Sequence, residues 1–195
     1  GEYLFKTEMG PLNAAMVLYY SAPLEHAVTI PPGWNSRQIA QILASQRLVD
    51  PEKFLSLVLS SQNAAKYKIS APSLEGFLYP DTYTFSRIDG EERILDRMVQ
   101  HFFSKVDKSV IQRAKAKGLT LEELVTLASI IEKETGVPTE RNLISSVFHN
   151  RLKKKMRLQS DPTTIYGIAD FDQRGLTWGP KTIGEERARS EERRV

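Results

Sequence analysis

"HAVTIPPGWNSRQIAQILASQRLV", residues 26–49, changes its hydrophobic period partway along and decides the fold class. Val28 and Ile30 stand two apart, the spacing of a strand with one buried face. Pro31, Pro32 and Gly33 then make a turn. Asn35 or Ser36 can cap a helix whose apolar face is Ile39, Ile42 and Leu43. A strand feeding an amphipathic helix makes this an α+β chain.

Toward the N-terminus, "GEYLFK" (1–6) reads as a short strand and "LNAAMVLYYS" (12–21) as a helix. Toward the C-terminus, Pro51 starts another helix, with Phe54, Leu55 and Val58 on one side. Ser60 to Ser73 is polar and carries lysines, which marks it as the best linker candidate. "SLEGFLYPDTYTF" (73–85) is dense in aromatics and broken by Gly76 and Pro80. It reads as a packed loop with strand-like ends. Glu75 and Asp81 lie in it among Phe77, Tyr79, Tyr83 and Phe85. Aromatic surfaces beside polar groups suit sugar rings, and they suit a hydrophobic core at least as well.

The remainder is helical in pattern. Gly90 to about Lys117 reads as one helix, with Ile94, Met98, Phe102 and Val106 on a stripe, and Gly118 ends it. Thr120 and Glu123 form a capping box for the next helix, closed by Gly136 and Pro138. A further helix is expected from about Glu140 to Lys155, burying Leu143, Val147, Phe148 and Leu152. Lys153 to Lys155 lie near its end, where cations are favoured. "LQSDPTTIYG" (158–167) reads as a turn-rich segment. From about Asp170 the composition shifts, and "GEERARSEERRV" (184–195) alternates its charges in blocks, as a solvated helix or a frayed tail does.

Composition narrows the function. Of the 195 residues, 41% are hydrophobic and 26% charged, ordinary for a globular protein. A net charge of +3, with no arginine- and aromatic-rich stripe, argues against nucleic acid but suits an anionic polymer or membrane surface nearby. With no cysteine, disulfides, thiol chemistry and Cys-based zinc sites are excluded. The three histidines, His26, His101 and His149, lack metal-ligand spacing and read as exposed or packing residues. No Gly-rich phosphate loop and no Gly-x-Ser-x-Gly elbow is present. The longest apolar run, Ala14 to Tyr20, is too short to span a bilayer. The start at Gly1, without methionine, is read as that of a fragment, with any signal or anchor upstream.

"LASIIEKETG" (127–136) carries the candidate chemistry. On a helix, Leu124, Leu127, Ala128 and Ile131 share one face, and Glu134 continues that stripe at its edge. Glu132 falls toward the other margin and Lys133 points outward. Residues two apart do not face each other, so the two acids are not a close carboxylate pair. Apolar surroundings and the negative end of a helix dipole both disfavour a charged carboxylate, and so favour the held proton that a general acid needs. The alternative is a half-exposed Glu134, or one paired with Arg141 or Arg151.

"LASIIEKETG", "ERNLISSVFHNRL" (140–152) and "MRLQSDPTTIYG" (156–167), in this order and spacing, resemble the endolytic murein transglycosylase family of membrane-anchored bacterial cell-wall enzymes. "VTIPPGWNSRQIAQIL" (28–43) resembles the family's LysM-like segment, and "LEGFLYPDTYTF" (74–85) the loop opening its catalytic region. The resemblance runs from Gly1 to about Ile168. It implies a small LysM-like αβ region over residues 1–70, and a mostly helical catalytic region over 71–195.

The same resemblance implies a substrate and a reaction. Peptidoglycan glycan strands are cut between N-acetylmuramic acid and N-acetylglucosamine without water. The muramyl 6-hydroxyl attacks its own anomeric carbon and leaves a 1,6-anhydro end. Glu134 matches the family's catalytic acid, and no metal or organic cofactor is required. Gln159, Ser160, Asp161, Thr163, Tyr166 and Asn150 match segments that would hold the sugar, with Glu75 and Asp81 either cleft or turn residues. Arg151 would pair with Asp161 or Glu132 and set the loop. Cell-wall synthases are the implied partners, and the cell-wall side of the bacterial inner membrane the implied place, held by an anchor outside this sequence. After the Tyr-Gly segment the family continues with an Asn-Thr-Tyr and a Gly-Leu-Pro-Pro element. Neither is found here, and "LTWGPKTIG" (176–184) is a poor echo. That departure keeps two rivals open: a binding or scaffolding protein of the same fold without turnover, and a hydrolase pairing Glu134 with a second acid such as Asp161.

Overall fold

The computed structural model describes residues 2–21 and 23–168. The expectations for the charged tail and for "LTWGPKTIG" lie outside those residues. The chain divides between Leu124 and Val125 into two compact units.

In the first unit, strand β1 (His26–Thr29) pairs antiparallel with β2 (Thr82–Phe85), Val28 opposite Tyr83 and Thr29 opposite Thr82. Val28, Tyr83 and Phe85 are buried on the inner face. Thr29 and Thr82 meet on the outer face, their hydroxyls 2.9 Å apart. Helix α1 (Pro11–Tyr20) lies ahead of the pair and buries no residue. Helix α2 (Ser36–Ser45) starts from a full capping box. The Asn35 side chain takes the Gln38 N–H, and the Gln38 side chain takes the Asn35 N–H. Helix α3 (Pro51–Val58) has proline where the missing N–H costs nothing, and Asp50 accepts from Glu52 and Lys53. α3 packs against α2 and against α5 (Gly90–Lys105). Phe54, Val58, Phe85, Ile94 and Met98 are completely enclosed. Burying each such side chain contributes roughly 1.5–3 kcal/mol before entropy is counted.

Three expectations for this unit are corrected. "GEYLFK" forms no strand; Glu2 instead bonds His26 and Arg87 through its carboxylate and Leu24 through its carbonyl. The expected linker, 60–73, contains helix α4 (Ser61–Lys66) and buries Asn63, Ala64 and Ile69. The strands on either side of it, β1 and β2, pair in one sheet. The helix expected from Gly90 to Lys117 is two helices, α5 and α6 (Lys108–Ala116). Asp107 separates them because its side chain caps the N–H groups of Ser109 and Val110. Gly118, at φ 77°, then closes α6 with a Schellman turn from Leu119 N to Ala114 O, 3.0 Å. In "SLEGFLYPDTYTF" the core use of the aromatics prevails, since Phe77, Tyr83 and Phe85 are buried.

Helix α7 (Leu121–Glu134) has the expected Thr120–Glu123 capping box. In the second unit its buried residues are Leu127 and Ile130, while Ala128 is exposed and Ile131 half-buried. A 3-10 turn (Pro138–Glu140) leads into α8 (Arg141–Lys153). α8 buries Phe148 only, and Leu143, Val147 and Leu152, expected inside, are exposed. "LQSDPTTIYG" is not all turn, since α9 runs Asp161–Ile168 with Pro162 in its first turn, where proline is tolerated.

Candidate active site

The second unit joins the end of α7 to the start of α9. Glu134 is the last residue of α7, and its Oε2 accepts the Ser160 hydroxyl at 2.9 Å. Ser160 is buried, immediately before α9, and its carbonyl accepts the Thr163 hydroxyl at 2.7 Å. Gln159 is exposed with φ 52°, a left-handed conformation that turns the chain just ahead of Ser160. One step earlier in the chain, the Arg151 guanidinium donates to the Leu158 carbonyl. Arg151 therefore ties α8 to the strap that carries Ser160, and pairs with neither Asp161 nor Glu132.

Glu132 is half-buried and takes Arg141 Nη2 at 3.0 Å. That pairing leaves Glu134 without either arginine partner considered for it. Among the described residues, Glu134 Oε1 takes no hydrogen bond. The side chain of Glu134 is exposed, which corrects the expected apolar setting. The packed part of the stripe ends at Ile130, and Glu134 stands one turn beyond it, where the helix stops. Orientation by Ser160, not burial, is what the unit gives this acid. Asp161 and Asn150 are exposed, and Tyr166 is 39% exposed.

Glu75 and Asp81 belong to the first unit. Both Glu75 carboxylate oxygens accept the Ser36 N–H, at 3.1 and 3.3 Å, so this acid caps the N-terminus of α2. Asp81 Oδ1 takes the Thr82 N–H, and Oδ2 lies 2.7 Å from His101 Nε2. The His101 bond, then the Thr82 N–H, hold the Asp81 carboxyl below its ordinary range.

Sequence reasoning missed two positioning groups. Thr135 is buried, donates to Glu140 Oε2 at 2.8 Å and accepts the Val137 N–H at 3.0 Å, which fixes the turn after Glu134. The signal was in "ETGVPTE" (134–140), where Thr135 and Glu140 bracket Gly-Val-Pro-Thr. His101 was read as an exposed or packing residue, and it meets Asp81 across the fold at 2.7 Å. Among the described residues, no group of acids and histidines has the geometry of a metal site. No described helix is long and apolar enough to cross a membrane.

Comparison with known proteins gives concordant matches. The YceG-like family profile covers residues 1–191. The chain is 34% identical to an endolytic murein transglycosylase of Streptococcus pneumoniae, over 77% of this chain and 31% of that protein. It is 41% identical to an endolytic murein transglycosylase of Bacillus subtilis, over 53% of this chain and 29% of that protein. The chain thus spans about a third of the length of these relatives. The crystal structure of a YceG-like protein from Listeria monocytogenes superposes with a TM-score of 0.68 at 27% identity, covering 94% of this chain and 63% of that one. With a family profile running almost end to end and a solved relative of the same fold, the chain belongs to the YceG-like family.

Proposed function

We propose that this chain carries the catalytic acid of a peptidoglycan lytic transglycosylase. The observation that carries the proposal is the Ser160–Glu134 hydrogen bond, which orients one carboxylate oxygen and leaves the other open. Relatives named endolytic murein transglycosylases supply the reaction class.

In this reading, the Glu134 carboxyl gives its proton to the oxygen linking N-acetylmuramic acid to N-acetylglucosamine. The C1–O bond breaks, the muramyl 6-hydroxyl oxygen bonds to C1, and its proton returns to the Glu134 carboxylate. One residue serves twice because the nucleophile is already tethered to the substrate. Glycosidases that use water commonly need a second carboxyl group. Exclusion of water by the bound sugars then provides the low-dielectric setting that the exposed carboxylate lacks alone. Gln159, Asp161, Thr163, Tyr166 and Asn150 are assigned to holding sugar hydroxyl and acetamido groups. The LysM-like region over 1–70 and the catalytic region over 71–195 belong to the same proposal, as do release of nascent strands beside a synthase and action on the cell-wall side of the bacterial inner membrane.

Mass spectrometry of purified glycan strands tests it: anhydro-ended products are expected from the parent chain and none from Glu134→Gln. Equal cleavage by that variant rejects the assignment. The exposure of Glu134 favours a second reading, a glycan-binding scaffold without turnover, which predicts strand retention on the protein and no released products.

A further inference from the structure

Two side-chain bonds straddle Glu134, and both come from the same place. Glu140 and Arg141 are adjacent, where the 3-10 turn meets α8. Arg141 Nη2 donates to Glu132 Oε1 at 3.0 Å, two residues before the acid. Glu140 Oε2 accepts the Thr135 hydroxyl at 2.8 Å, one residue after it. Thr135 Oγ1 in turn accepts the Val137 N–H at 3.0 Å. The last turn of α7 is thus clasped to the start of α8, with Glu134 between the two arms.

The clasp stands where other helices use backbone. α6 closes at Gly118, φ 77°, and α8 at Lys155, φ 54°, the left-handed position of a Schellman turn. Gly136 follows α7 but does not take a left-handed φ. Helix ends lack partners for their last carbonyls and fray, so a side chain there has no fixed direction unless something else holds the end. Simpler uses of these groups do not explain the arrangement. A half-exposed ion pair such as Glu132–Arg141 adds little stability. An acid at the start of α8 suits the helix dipole, but the dipole requires only charge, not a bond to Thr135. Thr135 is buried, with its one hydroxyl serving as donor and acceptor at once.

We propose that Glu140 and Arg141 are positioning residues, which act through Thr135 and Glu132 to fix the direction of the Glu134 side chain. Ser160 holds one oxygen of that side chain from outside the helix, and the clasp holds the backbone that carries it. That the Glu134 carboxyl is a catalytic acid rests on the function proposed above; the clasp does not.

Glu140 is exposed, so its variants leave the core intact. Glu140→Ala removes the acceptor, whereas Glu140→Gln removes the charge and keeps an acceptor oxygen. On purified glycan strands, Glu140→Ala should lower kcat about tenfold and leave KM within about twofold, and Glu140→Gln should recover most of the loss. Arg141 Nε has no partner among the described residues, so one N–H carries this arm and a lysine can replace it. Arg141→Ala should therefore behave as Glu140→Ala does, and Arg141→Lys as Glu140→Gln does. NMR gives a readout that needs no turnover. The Val137 amide should exchange faster in Glu140→Ala than in the parent, and the couplings that report the Glu134 rotamer should average. Unchanged kcat in both alanine variants overturns the proposal. So does a Glu140→Gln as slow as Glu140→Ala, which would leave only the charge at α8, or a KM that rises as kcat falls. If the parent yields no anhydro products, the catalytic reading fails and the couplings decide. Averaged in Glu140→Ala and fixed in the parent, they keep the clasp; alike in both, they reject it.

Discussion

Ser160, just ahead of α9, and Glu134, the last residue of α7, stand 26 residues apart and are joined by a 2.9 Å bond from hydroxyl to carboxylate. The hydroxyl is buried and the carboxylate exposed, so the rigid partner sets the direction of the free one. Ser160 is thus a positioning residue for the proposed acid. Replacing it by alanine should lower turnover on glycan strands about tenfold, equivalent to about 1.4 kcal/mol, and leave KM within about twofold. Ser160→Thr should restore most of the loss. Equal turnover in parent and Ser160→Ala would remove the bond from the mechanism.

Arg151 acts one step further back, through its bond to the Leu158 carbonyl. Arg151→Ala leaves that acceptor without its donor, at a cost of about 1–2 kcal/mol in stability. The strap bearing Ser160 loses its tie to α8, and turnover should fall with it. Urea unfolding beside product analysis separates the two effects. Unchanged stability would show that the strap is held by other groups.

Acid sensitivity should come from carboxylates that cap backbone groups. The Asp50 N–H, at 2.9 Å, and its own N–H hold the Glu91 carboxyl below 4.5. Because the folded value is the lower one, Glu91 adds stability above about pH 4.5, and this is lost as the pH falls through the folded value. Glu91→Gln should therefore be less stable than the parent near neutrality, and the gap should close in acid. A gap that is constant from neutral to strongly acidic pH contradicts this.

Arg47 sits at φ 57° in the turn that ends α2, with Leu48 N bonded to Leu43 O at 3.1 Å. That is the Schellman position at which glycine is favoured. The left-handed conformation costs an L-residue about 1–2 kcal/mol, partly offset by the chain freedom glycine adds to the unfolded state. Arg47→Gly should raise the unfolding free energy by about 0.5 kcal/mol. A decrease in the urea midpoint would mean that the arginine side chain contributes more than its backbone costs.

What was legible in the sequence was local. Asn35 as a cap, Pro51 as a first helical residue and Thr120 with Glu123 as a capping box declare helix starts locally, and the structure forms all three, with Gln38 completing the Asn35 cap and Asp50 accepting from Glu52 and Lys53 ahead of α3. Asp107 carried the same kind of signal, but the apolar repeat Ile94–Met98–Phe102–Val106 ran up to it and masked the break. Pro162 suggested a turn because proline both opens helices and makes turns, and only the bonds from Thr163 to the Ser160 carbonyl decide between them. Long-range partners were not legible at all. Nothing near Asp81 announces His101, and nothing near Glu134 announces Ser160, because each pairing exists only once the chain has closed. The spacing of Leu143, Val147 and Leu152 showed which side of α8 is apolar and could not show what covers it.

The uncovered row on α8 has a kinetic consequence. Helix α5 is clamped by five buried side chains, whereas α8 is clamped by Phe148 alone among the described residues. Backbone amides are released to solvent by local opening, and opening is easiest where fewest apolar groups must be wetted. In deuterated buffer the amides of α8 should label well before those of α5, so the helix that follows the candidate acid in the chain is the one that breathes.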